Sequence, residues 1–263
     1  MMTEGAATTR IVAVTSGKGG VGKTFVTANV ARALARAGRR VLVMDADLGL
    51  ANLDIVLNLR PKVTLHEVLM GEDQLDNVIL ETPGGFSVLP AGSGFAEYSR
   101  LTGDVRERLQ SILRQLGGRY EYLLIDTAAG IADVVLYVAS LADEIVVVTN
   151  PEPTSLADAY ATIKILSMQQ HRPSVNLVVN QVRKQGEGKV LASQLQLVAD
   201  RFLKPPVSEP VALRFLGEIP EDAAVPRSVR SRTLLADAAP ESPAAKAITG
   251  IAEALGRALH RPA

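Results

Sequence analysis

The sequence contains no cysteine among its 263 residues. The chain therefore cannot form disulfide bonds or thiolate metal sites, and it cannot hold an iron–sulfur cluster through cysteine. This one absence excludes thiol redox chemistry and cluster transfer as functions.

The sequence also lacks an excess of charge of either sign, with 28 basic (Lys+Arg) and 28 acidic (Asp+Glu) residues. A balanced chain produces no general field that would hold nucleic acid or an anionic membrane. Arg227, Arg230 and Arg232 form a local basic group. We interpret this group as a solvated surface, because no broad basic stripe accompanies it, and we expect no direct nucleic-acid partner.

Long apolar runs are absent as well. No stretch of about 20 uncharged apolar residues occurs, and the N-terminus, MMTEGAATTR, lacks the apolar segment of a signal peptide. We expect a cytoplasmic protein, and a peripheral position at the inner face of the cell membrane or at the cell pole stays open. The length suits one domain over 1–263 with a flexible tail over 1–9, since no linker-like break favours two domains.

The most informative stretch is residues 11–24, IVAVTSGKGGVGKT, in which a strand-like apolar run leads into glycines. Its spacing fits G-x-x-x-x-G-K-[ST], a loop whose backbone N–H groups surround phosphates. The alternative, a tight turn that binds nothing, gives no reason for a lysine and a hydroxyl at the end of the loop. The predicted phosphate-binding residues are Gly17, Lys18, Gly19, Gly20, Val21, Gly22, Lys23 and Thr24.

Carboxylates follow two of the predicted strands. The run VLVMDAD ends in Asp45 and Asp47, and YEYLLID ends in Asp126. Ligands of open α/β sheets lie at the carboxyl ends of the strands, so these positions suit a Mg-nucleotide site. The alternative for each is an aspartate that caps a helix or forms a turn.

The rest of the chain alternates apolar strands with amphipathic helices. The pattern predicts strands near 144–149, 175–179 and 211–219, a hairpin from VILE and FSVL, and a capped helix over 64–70. This order predicts an α/β fold, a doubly wound and mostly parallel sheet flanked by helices.

Two helices of the C-terminal half are predicted to face the core. One covers 187–202, with Leu191, Leu195, Val198 and Phe202 at helical spacing. The other is a closing helix over 243–259 with the stripe Ile248, Ile251, Leu255 and Leu259. This second stripe lacks the aromatic anchors and basic side of a membrane-surface helix, so membrane association is expected to be weak or absent.

These motifs together resemble a known family. Lys18 to Thr24, KGGVGKT, matches the deviant Walker A motif of the MinD/ParA class of P-loop ATPases, and DADLGLANLD, DTAAGI, VVNQV and GEIPED extend the likeness from about Arg10 to Leu259. Within that class, RPKVTLHEVLMG, ETPGGFSVLPAGSG and EPTSLADAYATIKIL are most similar to the FlhG (FleN) group of flagellar-number regulators. The resemblance implies that the protein binds ATP and Mg²⁺, forms a homodimer with ATP and hydrolyses ATP slowly.

The resemblance also implies a role for each matching residue at the phosphates. Residues 19–24 would hold the ATP phosphates, with Lys23 on the β and γ groups and Thr24 on Mg²⁺. Lys18 would reach across the dimer to the phosphates of the partner subunit. Asp47 would orient the attacking water.

Other positions would surround the metal, the base and the dimer interface. By the same resemblance, Asp45 and Asp126 would belong to the magnesium shell and act through water. Asn180 and the turn from Pro220 to Asp222 would lie beside adenine. Glu152 would lie near the nucleotide of the partner subunit.

The resemblance leaves three functions open. The first is a switch that controls flagellar number and placement through an FlhF-type GTPase, a FleQ-like transcription activator or flagellar switch proteins. The second is a MinD- or ParA-like ATPase that positions division, chromosomes or other cargo, and the third is an ATP-gated scaffold with negligible turnover. Two features frequent in the FlhG group, an N-terminal DQ-x-x-x-L-R element and an appended amphipathic helix, have no counterpart in this sequence.

Overall fold

A computed structural model describes residues 8–47, 52–92, 102–203 and 211–259 of the protein. Within them a single sheet of eight strands forms the centre of the fold. The strands are β1 (Arg10–Ser16), β2 (Val41–Ala46), β3 (Leu80–Glu81), β4 (Ser87–Leu89), β5 (Tyr122–Ala129), β6 (Glu144–Thr149), β7 (Ser174–Val182) and β8 (Ala212–Pro220).

Helices connect these strands. They are α1 (Lys23–Arg36), α2 (Leu53–Val56), α3 (Leu65–Met70), α4 (Leu75–Val78), α5 (Gly103–Leu116), α6 (Asp133–Leu141), α7 (Pro153–Gln170), α8 (Glu187–Phe202), α9 (Ala224–Arg230), α10 (Leu235–Ala238) and α11 (Pro243–Leu259). None of the helices in the described ranges is long and apolar enough to span a membrane.

The strand order is β3-β4-β2-β5-β1-β6-β7-β8, and every neighbouring pair is parallel except the β3–β4 hairpin. Strand β1 lies between β5 and β6, so the loop that follows β1 emerges near the middle of the sheet. The predicted fold class, the predicted hairpin and the capped helix at Thr64 are confirmed.

Both faces of the sheet are covered, because alternate residues of the strands enter different apolar clusters. In β1, Val12 and Val14 pack toward α1 and α11, whereas Ala13 packs toward α7 on the other face. A strand that is buried on both faces needs apolar residues at successive positions. This requirement explains why continuous apolar runs located the strands so well.

Helix α11 packs its apolar stripe into the core. Ile248, Ile251 and Leu255 are each 2% exposed and belong to the same cluster as Val30 and Leu34 of α1. The side chain of Leu259 lies outside the described part of the structure. The three described members of the stripe therefore face protein, as the sequence predicted.

The sequence predicts that four apolar residues of α8 face the core, and this prediction is wrong for two of them. Leu195 is buried, but Val198 is 38% and Phe202 is 62% exposed. The buried face of α8 instead follows small residues, Ala192 and Ala199 among them. A helix that packs close to its sheet needs small side chains at the contact, and the spacing of large apolar residues does not reveal that face.

We predict that Leu255→Ala lowers the free energy of unfolding by about 2–5 kcal/mol, because it removes a buried side chain and leaves a cavity. Leu197→Ala is the matched control, since this leucine of α8 is 68% exposed. Its effect should stay within about 0.5 kcal/mol. Urea unfolding measures both values, and equal effects of the two substitutions would contradict the placement of α11.

Candidate functional site

The glycine-rich loop leaves the carboxyl end of β1 and leads directly into α1. Gly20 and Gly22 adopt the left-handed conformation, with φ values of 82° and 91°, which residues with a Cβ adopt rarely. A Cβ on Gly17 would collide with the backbone of Asp158 in α7, and one on Gly22 with the side-chain amide of Asn180. Glycine is therefore required here both by backbone conformation and by close packing.

The first turn of α1 suits an anion. Its N-cap residue, Gly22, offers no side-chain hydrogen bond to the helix, and the turn contains no acidic residue. The first N–H groups of a helix have no partner within the helix and carry partial positive charge. A phosphate group fits this helix end.

Asp126 ties this turn to the sheet. The Thr24 hydroxyl donates a hydrogen bond of 2.6 Å to Asp126 Oδ2, and the Thr27 hydroxyl donates one of 3.3 Å to Oδ1. Lys23 Nζ lies 3.7 Å from Oδ1, with only 10% of the lysine side chain and 3% of the aspartate side chain exposed. Lysine and hydroxyl of the motif thus converge on one buried carboxylate.

Asp45 lies beside Asp126 on the neighbouring strand, since the two residues are register partners in β2 and β5. Asp45 accepts hydrogen bonds from the N–H groups of Asp47 and Leu53. Burial, and secondly the charge of Asp126, raises the pKa of Asp45 to about 7. Burial also raises the pKa of Asp126, although Lys23 and the two hydroxyls oppose the shift.

The donor set at this position fits Mg²⁺. Two buried carboxylates and the Thr24 hydroxyl are oxygen ligands, which magnesium prefers, and Lys23 supplies positive charge beside Asp126. No group of three or more His, Cys, Asp or Glu residues in the described ranges could hold a metal ion by itself. An ion at this site would need phosphate or water oxygens to complete its shell.

Asp47 completes the acidic group at the carboxyl edge of β2. It is half-buried, and its charge raises the pKa of both Asp45 and Asp126. The candidate water-orienting carboxylate therefore lies within electrostatic reach of the candidate magnesium ligands. The motif residues that follow it, 48–51, lie outside the described residues.

The two lysines of the loop point to different partners. Lys23 is directed to Asp126, whereas Lys18 Nζ lies 2.6 Å from Glu152 Oε2 and donates a hydrogen bond of 3.0 Å to the Thr154 hydroxyl. Lys18 and Glu152 are exposed, at 37% and 58% of their side chains, and Lys18 lowers the pKa of Glu152. Lys18 is therefore held at the protein surface by the start of α7.

The residues predicted to surround adenine share one cavity of about 790 Å³. Asn180, Pro220 and Asp222 line it together with Gly22 of the phosphate loop. Phe25 and residues of α9, including Val225 and Pro226, also line the cavity. The sequence reasoning did not find these apolar residues, although the position of Phe25 directly after the G-K-T motif was a usable signal.

All predicted site residues thus lie at the carboxyl edge of the sheet. The phosphate loop follows β1, Asp45 and Asp47 end β2, and Asp126 lies in β5. Glu152 follows β6, and the residues of the base cavity end β7 and β8. Parallel strands bring their carboxyl ends to one edge, which explains how residues so far apart in sequence meet.

A family model for the CobQ/CobB/MinD/ParA nucleotide-binding domain matches residues 12–235. The chain is similar to the antiactivator FleN of Pseudomonas aeruginosa, at 40% identity over 93% of this chain and 85% of that protein. The flagellum site-determining protein YlxH of Helicobacter pylori is 34% identical over 93% of this chain and 81% of that protein. The solved structure of MinD from Pyrococcus horikoshii, complexed with Mg-ADP, has a TM-score of 0.75 at 28% identity and covers 96% of this chain and 98% of that chain.

The raised pKa of Asp45 makes the stability of the metal-free protein depend on pH. Its folded pKa of about 7 lies above its ordinary value of 3.8, so the folded state binds the proton more tightly than the unfolded chain does. This contribution to stability is present below pH 3.8 and is lost as the pH rises to about 7.

We therefore predict that Asp45→Asn, measured in EDTA, loses less stability than the wild type as the pH rises through this range. Thermal unfolding over a pH series gives the difference between the two proteins. If the stabilities of the two proteins change with pH in parallel, ionisation of buried Asp45 does not destabilise the folded protein, and the prediction is wrong.

Proposed function

This chain belongs to the CobQ/CobB/MinD/ParA family of nucleotide-binding proteins, and we propose that it is an ATPase switch. In this proposal ATP brings two copies together, and slow hydrolysis to ADP and phosphate separates them. The observation that carries the proposal is that the two lysines of the loop have different environments. Lys23 is only 10% exposed and lies by Asp126, where the metal and phosphates are proposed to bind, whereas Lys18 is 37% exposed and pairs with Glu152.

The phosphate loop and the first turn of α1 would bind the ATP phosphates, with Lys23 on the terminal groups. Thr24 would contact Mg²⁺, and Asp45 and Asp126 would hold its water ligands. The MinD structure complexed with Mg-ADP supports this assignment, because its fold matches over 96% of the chain. Magnesium would stabilise the negative charge of the phosphates and offset the negative charge of the two buried carboxylates.

Asp47 would orient the attacking water. A carboxylate is a much weaker base than the hydroxide ion that it would have to form from water, so Asp47 would position the water more than deprotonate it. The resulting hydrolysis would be slow. Slow turnover suits a switch, because the ATP-bound dimer then persists long enough to act on a partner.

Lys18 would leave Glu152 and contact the phosphates of the second copy. An exposed ion pair contributes only about 0–1 kcal/mol, so Lys18 would lose little on leaving Glu152, and the phosphates of ATP carry more negative charge than one carboxylate. The exchange is therefore favourable once ATP is bound in the partner subunit. Glu152 would then lie at the interface, near the partner's nucleotide.

We further propose that the switch controls flagellar number and placement. The names of FleN, at 40% identity, and YlxH, at 34% identity, support this role. The partners proposed here are an FlhF-type GTPase, a FleQ-like transcription activator or flagellar switch proteins. The likeness to MinD favours positioning of division or other cargo as the second candidate.

We predict opposite effects of two substitutions on dimerisation. With Mg-ATP, Asp47→Ala should accumulate as a dimer because hydrolysis is blocked, and Lys18→Ala should stay monomeric because the phosphates lose a contact from the partner. Light scattering after size exclusion gives the mass of each protein. The control is Lys164→Ala, which removes an exposed lysine about three turns along α7 from Glu152.

The control should dimerise with Mg-ATP as the wild type does. If Lys18→Ala dimerises equally well, Lys18 does not act across the interface. If wild type and Asp47→Ala both remain monomeric with ATP bound, the dimer itself is wrong.

For the cellular role, we predict that deletion of the gene in its source organism changes the number or position of flagella. Counting flagella by electron microscopy measures this directly. Wild type and Lys164→Ala should restore the normal count, and Lys23→Ala should not, because it cannot hold the phosphates. Normal flagella with misplaced septa or cargo would instead support the second candidate.

A further inference from the structure

The cavity next to the phosphate loop has walls that are mainly apolar. Phe25 contributes from the first turn of α1, and Val225, Pro226 and Val229 contribute from α9. Val229 is 43% exposed, so part of this apolar surface lies open to solvent. A flat apolar ligand would cover it.

Phe25 directly follows Thr24, the last residue of the predicted phosphate-binding motif. The core-facing stripe of α1 runs through Val26, Val30 and Leu34. A residue directly before Val26 is turned by about 100° from that stripe, and Phe25 is accordingly only half-buried. Its position therefore suits contact with the part of a nucleotide that extends beyond the phosphates.

Two acidic side chains line the cavity, Glu221 and Asp222, and both are engaged within the protein, Glu221 by a hydrogen bond of 3.2 Å from Arg183 Nε. Asp222 Oδ1 accepts a hydrogen bond of 2.8 Å from the N–H of Ala224, and Oδ2 accepts one of 3.2 Å from the N–H of Ala244. Asp222 therefore fixes the starts of α9 and α11. Its carboxylate is poorly placed to recognise a base as well.

The amide side chains of the cavity are engaged too. Asn180 Nδ2 donates a hydrogen bond of 2.8 Å to the Val21 carbonyl, and Asn180 Oδ1 accepts one from the N–H of Gln181. Gln181 Oε1 in turn accepts a hydrogen bond from Asn150 Nδ2. Asn180 thus braces the phosphate loop, and the apolar walls remain available to a base.

We propose that Phe25 is a nucleotide-binding residue that stacks against the purine base, and that it supplies a large share of the affinity for the nucleoside part of ATP. This inference rests on the proposed function, that the chain binds ATP. Stacking of a base on an aromatic side chain contributes about 1–3 kcal/mol, which corresponds to about 5- to 150-fold in the dissociation constant.

Isothermal titration calorimetry with ATP and with inorganic tripolyphosphate tests the proposal. Tripolyphosphate carries the phosphates without the base, so the ratio of its affinity to that of ATP isolates the contribution of the nucleoside. Phe25→Ala should weaken ATP binding by about 10- to 100-fold and leave tripolyphosphate binding within about twofold. Phe25→Tyr, which keeps the aromatic ring, should retain ATP affinity.

Phe25 also packs against the core cluster, so Phe25→Leu provides a variant that keeps apolar volume. Stacking predicts that Phe25→Leu loses ATP affinity relative to Phe25→Tyr while its tripolyphosphate affinity stays unchanged. Equal losses for ATP and tripolyphosphate, or full ATP affinity in Phe25→Leu, would overturn the proposal. Wild-type protein that binds neither ligand would instead contradict the proposed function.

Discussion

Two buried carboxylates, one of them with the Lys23 ammonium group beside it, set the electrostatics of the site. Asp45 and Asp126 lie side by side at the carboxyl edge of the sheet, and each is about 2% exposed. Lys23 is the cation at 3.7 Å from Asp126. Burying this excess of negative charge costs folding free energy unless protons or a cation offset it. The raised pKa of Asp45 reflects that cost, and a divalent ion beside phosphate would relieve it. The arrangement is therefore better suited to binding than to stabilising the empty fold.

Three contacts hold the phosphate loop at the same edge of the sheet. Thr24 binds Asp126, Asn180 binds the Val21 carbonyl, and Gly17 packs against the backbone of α7. These contacts fix the loop before any ligand arrives, which limits the entropy lost on binding. Lys18 is the exception, since its partners Glu152 and Thr154 are exposed side chains at the start of α7. The loop is thus braced by contacts with buried groups, whereas Lys18 is held by exposed ones.

The sequence predicted most of this fold because its signals are strong and local. Strands buried on both faces need continuous apolar runs, and the G-x-x-x-x-G-K-[ST] spacing fixes the turn that follows β1. Features that depend on packing between elements far apart in the sequence could not be predicted from it. The exposure of Phe202 follows from the small residues that bring α8 close to the sheet. The pairing of Lys18 with Glu152 spans 134 residues, and the engagement of Asp222 by two helix starts depends on where α9 and α11 meet. No periodicity in the chain encodes such contacts.

The position of the Lys18 ammonium group in the nucleotide-bound state distinguishes a lysine that acts across the dimer from one that stays within its own chain. A crystal structure of Asp47→Ala with Mg-ATP would locate it. We predict that Lys18 leaves Glu152, from which it is 2.6 Å distant in the single chain, and contacts a phosphate of the nucleotide held by a second copy. A nucleotide-bound dimer in which Lys18 remains paired with Glu152 of its own chain would contradict this prediction.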